Sequence, residues 1–314
     1  MKNQIYFSII INNYNYGYFL SQAIDSALNQ DYPYKEVIVV DDGSTDNSRS
    51  VMQNYGDKII SVFKSNGGQA SAFNAGFEKS SGDVICFLDS DDAFELNKLS
   101  RVAHVFESNS HIEWCFHSLR LIRLDTEKCI DKAYKKHGHA QRTDFNDLGK
   151  AKPKKYPATS GTCFTRSCLS NIFPMPEDIN IVSDNYIKFV VTSTYRGCVL
   201  DEELAEQKIH SRNAYTLNPN YHYLKPKYDV LIAYWARIRF PNLSTSTDRL
   251  LSSGIAGFWK VRKLEPDSSA LIRSYLEAVG RKRRLKIYAK TFYEIIKLVI
   301  NKFMADLRAL PGSG

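Results

Sequence analysis

The sequence predicts a doubly wound, mostly parallel α/β sheet followed by a helical C-terminal region. Three observations carry that expectation. Short β-branched runs alternate with segments whose apolar residues recur at helical spacing. Each strong run ends in polar, often acidic, residues. Beyond about residue 220 the strand pattern gives way to helix.

Phe7-Ser8-Ile9-Ile10-Ile11 is almost continuously apolar, as expected of a parallel strand covered on both faces. An Asn13-Tyr14-Asn15-Tyr16-Gly17 turn follows, and from Tyr18 the residues Leu20, Ala23, Ile24, Ala27 and Leu28 share one helix face. Glu36 to Val40 is the second β-branched run, so the chain opens as a β-α-β unit with a right-handed crossover. The alternation continues with a helix from Asp46 to Tyr55, a strand from Lys58 to Phe63, a helix from Ala70 to Glu78 and a third strong strand from Asp83 to Leu88. Ordered patterning returns at Tyr156 and runs through Asp184 to His210, and helical spacing dominates beyond about residue 220.

A chain of 314 residues with 43% hydrophobic and 24% charged residues can bury a sizeable core, which excludes a disordered or collagen-like protein. The net charge of +8 suits contact with phosphate, nucleic acid or anionic lipid without choosing among them. Cys86, Cys115, Cys129, Cys163, Cys168 and Cys198 are scattered, with no C-x-x-C, and read as buried small hydrophobes in a reducing compartment. The N-terminus enters a strand pattern without the apolar stretch of a signal peptide, and no run reaches the 18 or so apolar residues of a membrane span. A cytoplasmic protein is expected, resting at most on the inner face of the cell membrane.

The strand ends carry the chemistry. Open α/β sheets bind ligands beyond the carboxyl ends of their strands. Here those ends are Asn12-Asn13-Tyr14-Asn15, Asp41-Asp42-Gly43-Ser44-Thr45-Asp46 and Asp89-Ser90-Asp91-Asp92. Carboxylates crowded as in the last of these repel one another unless a divalent cation shares their oxygens, and such a cation keeps sites free for substrate phosphates. The plainer alternative is an acidic turn with Asp92 capping the helix that contains Leu96 and Leu99. An acid in the Asp41 loop can accept the imide N–H of a uracil ring. Gly67-Gly68 offers either a close backbone approach to a ligand or an ordinary join from loop to helix. The basic stretch 130–156 reads as a solvated loop or an anion-binding flap.

Taken in order, these motifs resemble those of the family 2 glycosyltransferases, enzymes of the type A nucleotide-sugar-binding fold. The resemblance rests on Phe7-Ser8-Ile9-Ile10-Ile11 with Tyr14-Asn15, on Val39-Val40-Asp41-Asp42-Gly43-Ser44, on Asn66-Gly67-Gly68 with Asn74-Ala75-Gly76, and on Gly82-Asp83 with Phe87-Leu88-Asp89-Ser90-Asp91-Asp92. It covers residues 1 to about 215, closely to about 100. It implies an inverting, metal-dependent transfer of a hexosyl or N-acetylhexosaminyl group from a nucleotide-diphosphate sugar, with a UDP-sugar expected. The acceptor would be a hydroxyl of a glycan or lipid-linked acceptor in surface polysaccharide synthesis.

The resemblance also assigns residues. Asn13, Asn15, Asp41, Gly67, Gly68 and Asp89 are expected at the donor nucleotide, and Ser160 and Gly161 in the loop bordering the acceptor. Asp91, Asp89 and His210 are expected around Mg²⁺ or Mn²⁺, with Asp91 the direct ligand. Asp184 is expected as catalytic base, its alternative being a cap for the helix from Asn185 to Val191. The implied organisation is a nucleotide-sugar half (1–110), an acceptor half (111–218) and a basic helical region (219–314). Asn12-Asn13, Phe73 and Ser183 depart from the residues most common in the family, which weakens any inference about the sugar.

Two other functions are weighed against this one. A nicotinamide-dependent oxidoreductase would need G-x-G-x-x-G after the first strand, which is absent. A non-catalytic basic nucleotide- or nucleic-acid-binding protein fits the net charge, but its acidic strand ends would repel phosphate, so no nucleic-acid partner is expected. In the tail, Arg281-Lys282-Arg283-Arg284 and Lys286 precede Tyr288, Phe292, Ile295, Ile296, Val299, Phe303 and Leu307 at helical spacing. That helix either packs on protein, its own domain or a second copy, or lies on an anionic membrane.

Overall fold

In the computed structural model, residues 4–124, 128–129, 156–180, 182–213 and 221–308 are described. The basic stretch 130–155 lies outside them. The chain divides into two units, 1–216 and 217–314.

The first unit alternates strands and helices: β1 (Phe7–Asn13), α1 (Gly17–Leu28), β2 (Lys35–Asp42), α2 (Ser48–Gln53), β3 (Ile60–Lys64), α3 (Gln69–Lys79), β4 (Val84–Asp89), β5 (Ala93–Phe94) and α4 (Lys98–Ser108). It continues with β6 (Trp114–Arg123), β7 (Lys128–Cys129), β8 (Thr162–Thr165), α5 (Arg166–Ser170), α6 (Ser183–Thr194) and β9 (Gly197–Ile209). The strands form one mixed sheet in the order β3-β2-β1-β4-β8-β6-β9-β5, with β7 paired to β6. The parallel block β3-β2-β1-β4 is the portion the alternating pattern predicts; β8 joins β4 antiparallel, and β6 pairs β9 parallel.

Apolar continuity in β1 has the expected cause. Phe7, Ile9, Ile10 and Ile11 are fully buried. Ile9 and Ile11 join Leu20, Ile24, Val37 and Val39 in one core layer. Ile10 lies under Gly76 of α3 on the other face, where an added Cβ would come within 2.5 Å of Ile10 Cγ2. Phe73 is also core, its ring 4.5 Å from that of Phe87. Cys86, Cys115, Cys163, Cys168 and Cys198 are buried free thiols, and the side chain of Cys129 lies outside the described residues.

Helix α2 is shorter than its pattern suggests, because Asp46 is occupied before it. Its Oδ1 accepts from Ser48 N at 2.9 Å and its Oδ2 from Gly17 N at 2.9 Å, which ties the β2 turn to the start of α1.

The second unit comprises α7 (Tyr221–Arg239), α8 (Ser244–Val261), α9 (Pro266–Glu277) and α10 (Arg281–Arg308). Val230, Leu251, Phe258, Tyr275, Val279 and Ile287 form its own core. Among the described residues no helix is long and apolar enough to cross a membrane.

One buried group in β6 has a consequence for stability. His117 is 1% exposed, its Nδ1–H donates to Ser118 O at 2.8 Å, and its Nε2 has no partner among the described residues. Burial, then the nearby Lys98 charge, holds its pKa well below 6.5, against the pull of the Ser118 carbonyl. The folded state therefore binds fewer protons here than the unfolded one. The stabilisation is complete above the unfolded value near 6.5 and is lost as pH falls below it. The melting temperature is expected to fall between about pH 7.5 and pH 5, and His117→Gln to fall less steeply across that range.

Candidate active site

Parallel pairing of β1 with β2 and β4 sets Asn13 opposite Asp41 and Asn12 opposite Asp89. The three polar strand ends therefore form one edge. Asn13 Nδ2 donates to Asp41 Oδ1 at 2.9 Å, and Ser44 N donates to Asp41 Oδ2 at 3.2 Å. Asn15 adopts the left-handed conformation (φ 58°), and its Oδ1 accepts from Thr45 N at 2.7 Å. The Oδ1 atoms of Asn12 and Asn13 are buried without partners among the described residues.

Gly67 and Gly68 have a packing role in this edge. Their N–H groups donate to the Asp42 carboxylate at 3.0 and 2.7 Å, and Lys64 Nζ adds a third contact at 2.6 Å. Gly68 has φ +82°, and a Cβ there would lie 2.7 Å from Asn180 O. The close approach that requires glycine is therefore made by the Asn180 segment.

At the end of β4, Asp89, Asp91 and Asp92 take separate environments. Asp92 is almost fully buried, accepting from Ser160 Oγ at 2.6 Å and from Lys208 N at 3.1 Å. It does not cap a helix, since α4 begins at Lys98 behind Asn97. Burial, then Asp91 and Asp89, pushes its pKa well above the carboxylate range. Asp89 is raised to about 7 by burial first, then by the charges of Asp91 and Asp184, while hydrogen bonds from Thr159 and Asn12 pull the other way. Asp91 Oδ2 faces His210 Nε2 at 3.0 Å and Asn213 Nδ2 at 3.2 Å.

His210 is held flat against Phe19, with ring centroids 5.1 Å apart and an 11° interplanar angle. Arg212 N donates to His210 Nδ1 at 3.2 Å, so Nε2 carries the proton shared with Asp91. Tyr16, whose hydroxyl donates to Arg212 O at 2.7 Å, closes this corner.

The Ser160 loop braces the cluster. Ser160 Oγ accepts from Asp89 N at 3.2 Å as well as donating to Asp92. Ser160 O accepts from Lys98 Nζ at 2.9 Å, and Lys98 is fully buried with its ammonium 3.2 Å from the centroid of Phe94. Gly161 lies within 2.8 Å of His117 O and of the Leu119 side chain by the position a Cβ would take.

Asp184 enters from α6. Val182 precedes that helix in the left-handed conformation, and no side chain caps it, so Asp184 is free of the capping role. Its Oδ2 accepts instead from Lys188 Nζ at 2.5 Å, one turn on, and Lys188 also donates to Pro157 O at 2.8 Å. Lys188 is 2% exposed. Ser183 is spent on structure, its N donating to Gln69 Oε1 at 2.8 Å and its hydroxyl to Ile179 O.

Lys98, Lys188 and Asn213 were not singled out from sequence. Lys188 had a signal: a lysine four residues after Asp184, inside the apolar run Tyr186-Ile187-Phe189-Val190-Val191, implies a buried partner on its own helix face.

Residues 8–163 match the family described as Glycosyl transferase family 2. The domain belongs to that family. An uncharacterized glycosyltransferase of Nostoc sp. is 38% identical over 213 residues, covering 66% of this chain and 65% of its own. The chain spans about two thirds or less of the length of the curated relatives it matches. Among solved structures, S. aureus TarS 1-349 in complex with UDP-GlcNAc is similar with a TM-score of 0.67 at 16% identity, over 93% of this chain and 89% of that one. The mannosyltransferase PcManGT from Pyrobaculum calidifontis, in complex with GDP-Man and Mn²⁺, gives a TM-score of 0.55 at 15% identity, over 94% and 88%. These likenesses show the fold.

Among the described residues no three His, Cys, Asp or Glu side chains converge to hold a metal unaided. Asp91 and His210 are hydrogen-bonded to each other instead, and Asp91 with the deprotonated Nε2 would offer two ligands. That fits a hard cation whose remaining ligands are substrate phosphates.

Breaking a buried ion pair by removing one partner typically costs about 3–5 kcal/mol. Lys188→Met and Asp184→Ala are each expected to lose stability of that order in urea unfolding. Asp184→Asn, which keeps an oxygen for the ammonium, should lose less, and the double variant Asp184→Ala/Lys188→Met should recover most of either single loss.

Proposed function

We propose that the chain is an inverting glycosyltransferase. It would move a hexosyl or N-acetylhexosaminyl group from a UDP-sugar to a hydroxyl of a glycan or lipid-linked acceptor in surface polysaccharide synthesis. One observation carries this reading: Lys188, which holds Asp184, also bonds Pro157 O in the loop whose Ser160 bonds Asp92 and the Asp89 backbone, so the candidate base is tied to the acidic strand end. Family membership supports the reaction class. The nucleotide sugars held by TarS and PcManGT support the donor class.

Residues 1–110 form the donor half. Asp41 accepts the base imide N–H, and the unpartnered oxygens of Asn12 and Asn13 accept from ribose hydroxyls. Asn15, Gly67 and Gly68 shape the walls through the bonds they make to the Asp41 and Asp42 loop. Residues 111–218 form the acceptor half, with Ser160 and Gly161 at its border.

Asp184 takes the proton of the acceptor hydroxyl as that oxygen attacks the anomeric carbon from the face opposite the diphosphate. A carboxylate is a weak base, and it suffices when the proton leaves late, after the oxygen has been acidified by bonding to an oxocarbenium-like carbon. Lys188 fixes the carboxylate through Oδ2, leaving its other oxygen for the acceptor. Asp91 and His210, with Asp89 beside them, would hold Mg²⁺ or Mn²⁺, which supplies Lewis-acid neutralisation of the departing diphosphate. His210 would serve there with its proton moved from Nε2 to Nδ1, which gives up the bond from Arg212 N.

Transfer from a panel of UDP-sugars tests the proposal. Asp184→Asn should slow transfer by at least about 10²-fold with UDP affinity little changed. Retained turnover in that variant, or a product of unchanged anomeric configuration by NMR, would sink the single-displacement mechanism. Asp91→Asn should abolish the divalent-cation dependence of UDP binding measured by calorimetry. If cation dependence persists, the metal assignment is wrong.

A further inference from the structure

Helix α10 carries apolar residues on the side its packing leaves in solvent. Its inner side is settled by Ile287, which is 1% exposed, by Thr291 at 7%, and by Ser252 Oγ donating to Ile287 O at 3.3 Å. Arg283 Nε donates to Asp248 Oδ2 at 2.6 Å and Arg284 Nε to Leu276 O at 3.0 Å, so the rotation of the helix is fixed from its first turn. At about 100° per residue the opposite side then presents Leu285, Tyr288, Phe292, Ile296, Val299 and Phe303. Leu285, Phe292 and Phe303 are 60, 65 and 61% exposed. Large side chains left this far in water in one contiguous stripe mark a contact surface.

The charge around that stripe is of one sign. Arg281, Lys282 and Lys286 are exposed at its N-terminal end, and Lys297 lies along its edge. Glu294 is the only acid from Arg281 to Met304, and it is paired with Lys290 at 3.2 Å and Lys297 at 3.9 Å. An apolar stripe rimmed by cations that outnumber the one acid complements a surface that is oily below and anionic above.

A second copy of the chain fits less well. In a two-helix seam built on Leu285, Phe292 and Val299, the flanking positions would carry Tyr293, Ile300 and Tyr288 in place of the complementary charges that set such pairs. With those residues the apolar arc widens to about 140°, broader than a two-helix seam. Side-by-side parallel helices would also bring two basic ends together.

We propose that this face of α10 docks on an anionic lipid bilayer. The helix lies in the interface plane, with Phe292 and Phe303 in the headgroup boundary and the lysine and arginine stems reaching back to lipid phosphates. The proposal stands on unit 217–314 alone and does not depend on the transferase reading.

The test is flotation of the full chain with vesicles of phosphatidylcholine alone or mixed with phosphatidylglycerol, at low and high salt. Analytical ultracentrifugation without lipid runs alongside. The expected result is recovery with the phosphatidylglycerol vesicles at low salt, lost at high salt. The Phe292→Asp/Phe303→Asp and Lys282→Glu/Lys286→Glu variants should each lose at least about tenfold in partitioning. All four positions are exposed, and unchanged circular dichroism confirms folding of the variants. No recovery with anionic vesicles, equal recovery of wild type and variants, or salt-insensitive binding to phosphatidylcholine overturns the proposal. Self-association without lipid that Phe292→Asp/Phe303→Asp abolishes, in a chain that does not float, assigns the face to a second copy.

Discussion

Burying carboxylates at the end of a parallel strand is the constraint around which the first unit is built. A carboxylate withdrawn from water must be protonated, paired or hydrogen-bonded, and the three acids that end β4 meet that demand differently. Asp92 is held by Ser160 and the Lys208 backbone, Asp91 by His210 and Asn213, and Asp89 by hydrogen bonds that only partly offset its burial. Apart from Asn12 on β1, each partner comes from a segment more than a hundred residues from Asp92 or Asp91, or from the loop before β8. The mixed half of the sheet is thus what makes the acidic end of the parallel half tolerable.

Two buried lysines transmit order into that edge. Lys98 grips the carbonyl of Ser160, whose hydroxyl in turn holds Asp92, so a cation inside the core positions the loop that braces the acids. Lys188 grips Asp184 and the Pro157 carbonyl together, tying the helix that supplies the carboxylate to the same loop region. Both ammonium groups lie where burial alone would be costly, and each is satisfied by an oxygen whose location matters to the site. Such pairs add little net stability against an apolar replacement, while their geometry sets where a carboxylate can point.

The second unit follows a different balance. Its core is a short list of aliphatic and aromatic contacts, and α10 uses only one side to reach it. A helix of that length with apolar residues on both sides satisfies one within the fold and leaves the other as chemistry for something outside it.

The sequence by itself determined the α/β alternation, because burial on two faces demands continuous apolar runs such as Phe7–Ile11, and local spacing records that demand. It also located the strand-end acids, since polar residues stopping a buried strand are visible in one dimension. It misjudged the start of α2, where Asp46 is drawn to Gly17, and it left open whether Asp92 or Asp184 caps a helix. It offered no packing reason for Gly68, because the Asn180 segment that needs the space is remote in the chain. Only the tertiary structure decided that Asp184 meets Lys188, that Ser160 spans Asp89 and Asp92, and that His210 faces Asp91. Those choices depend on which distant segments the sheet order brings within a few ångströms, and hydrogen bonds and ion pairs are too short-ranged to be read from residue spacing when their partners lie on different strands.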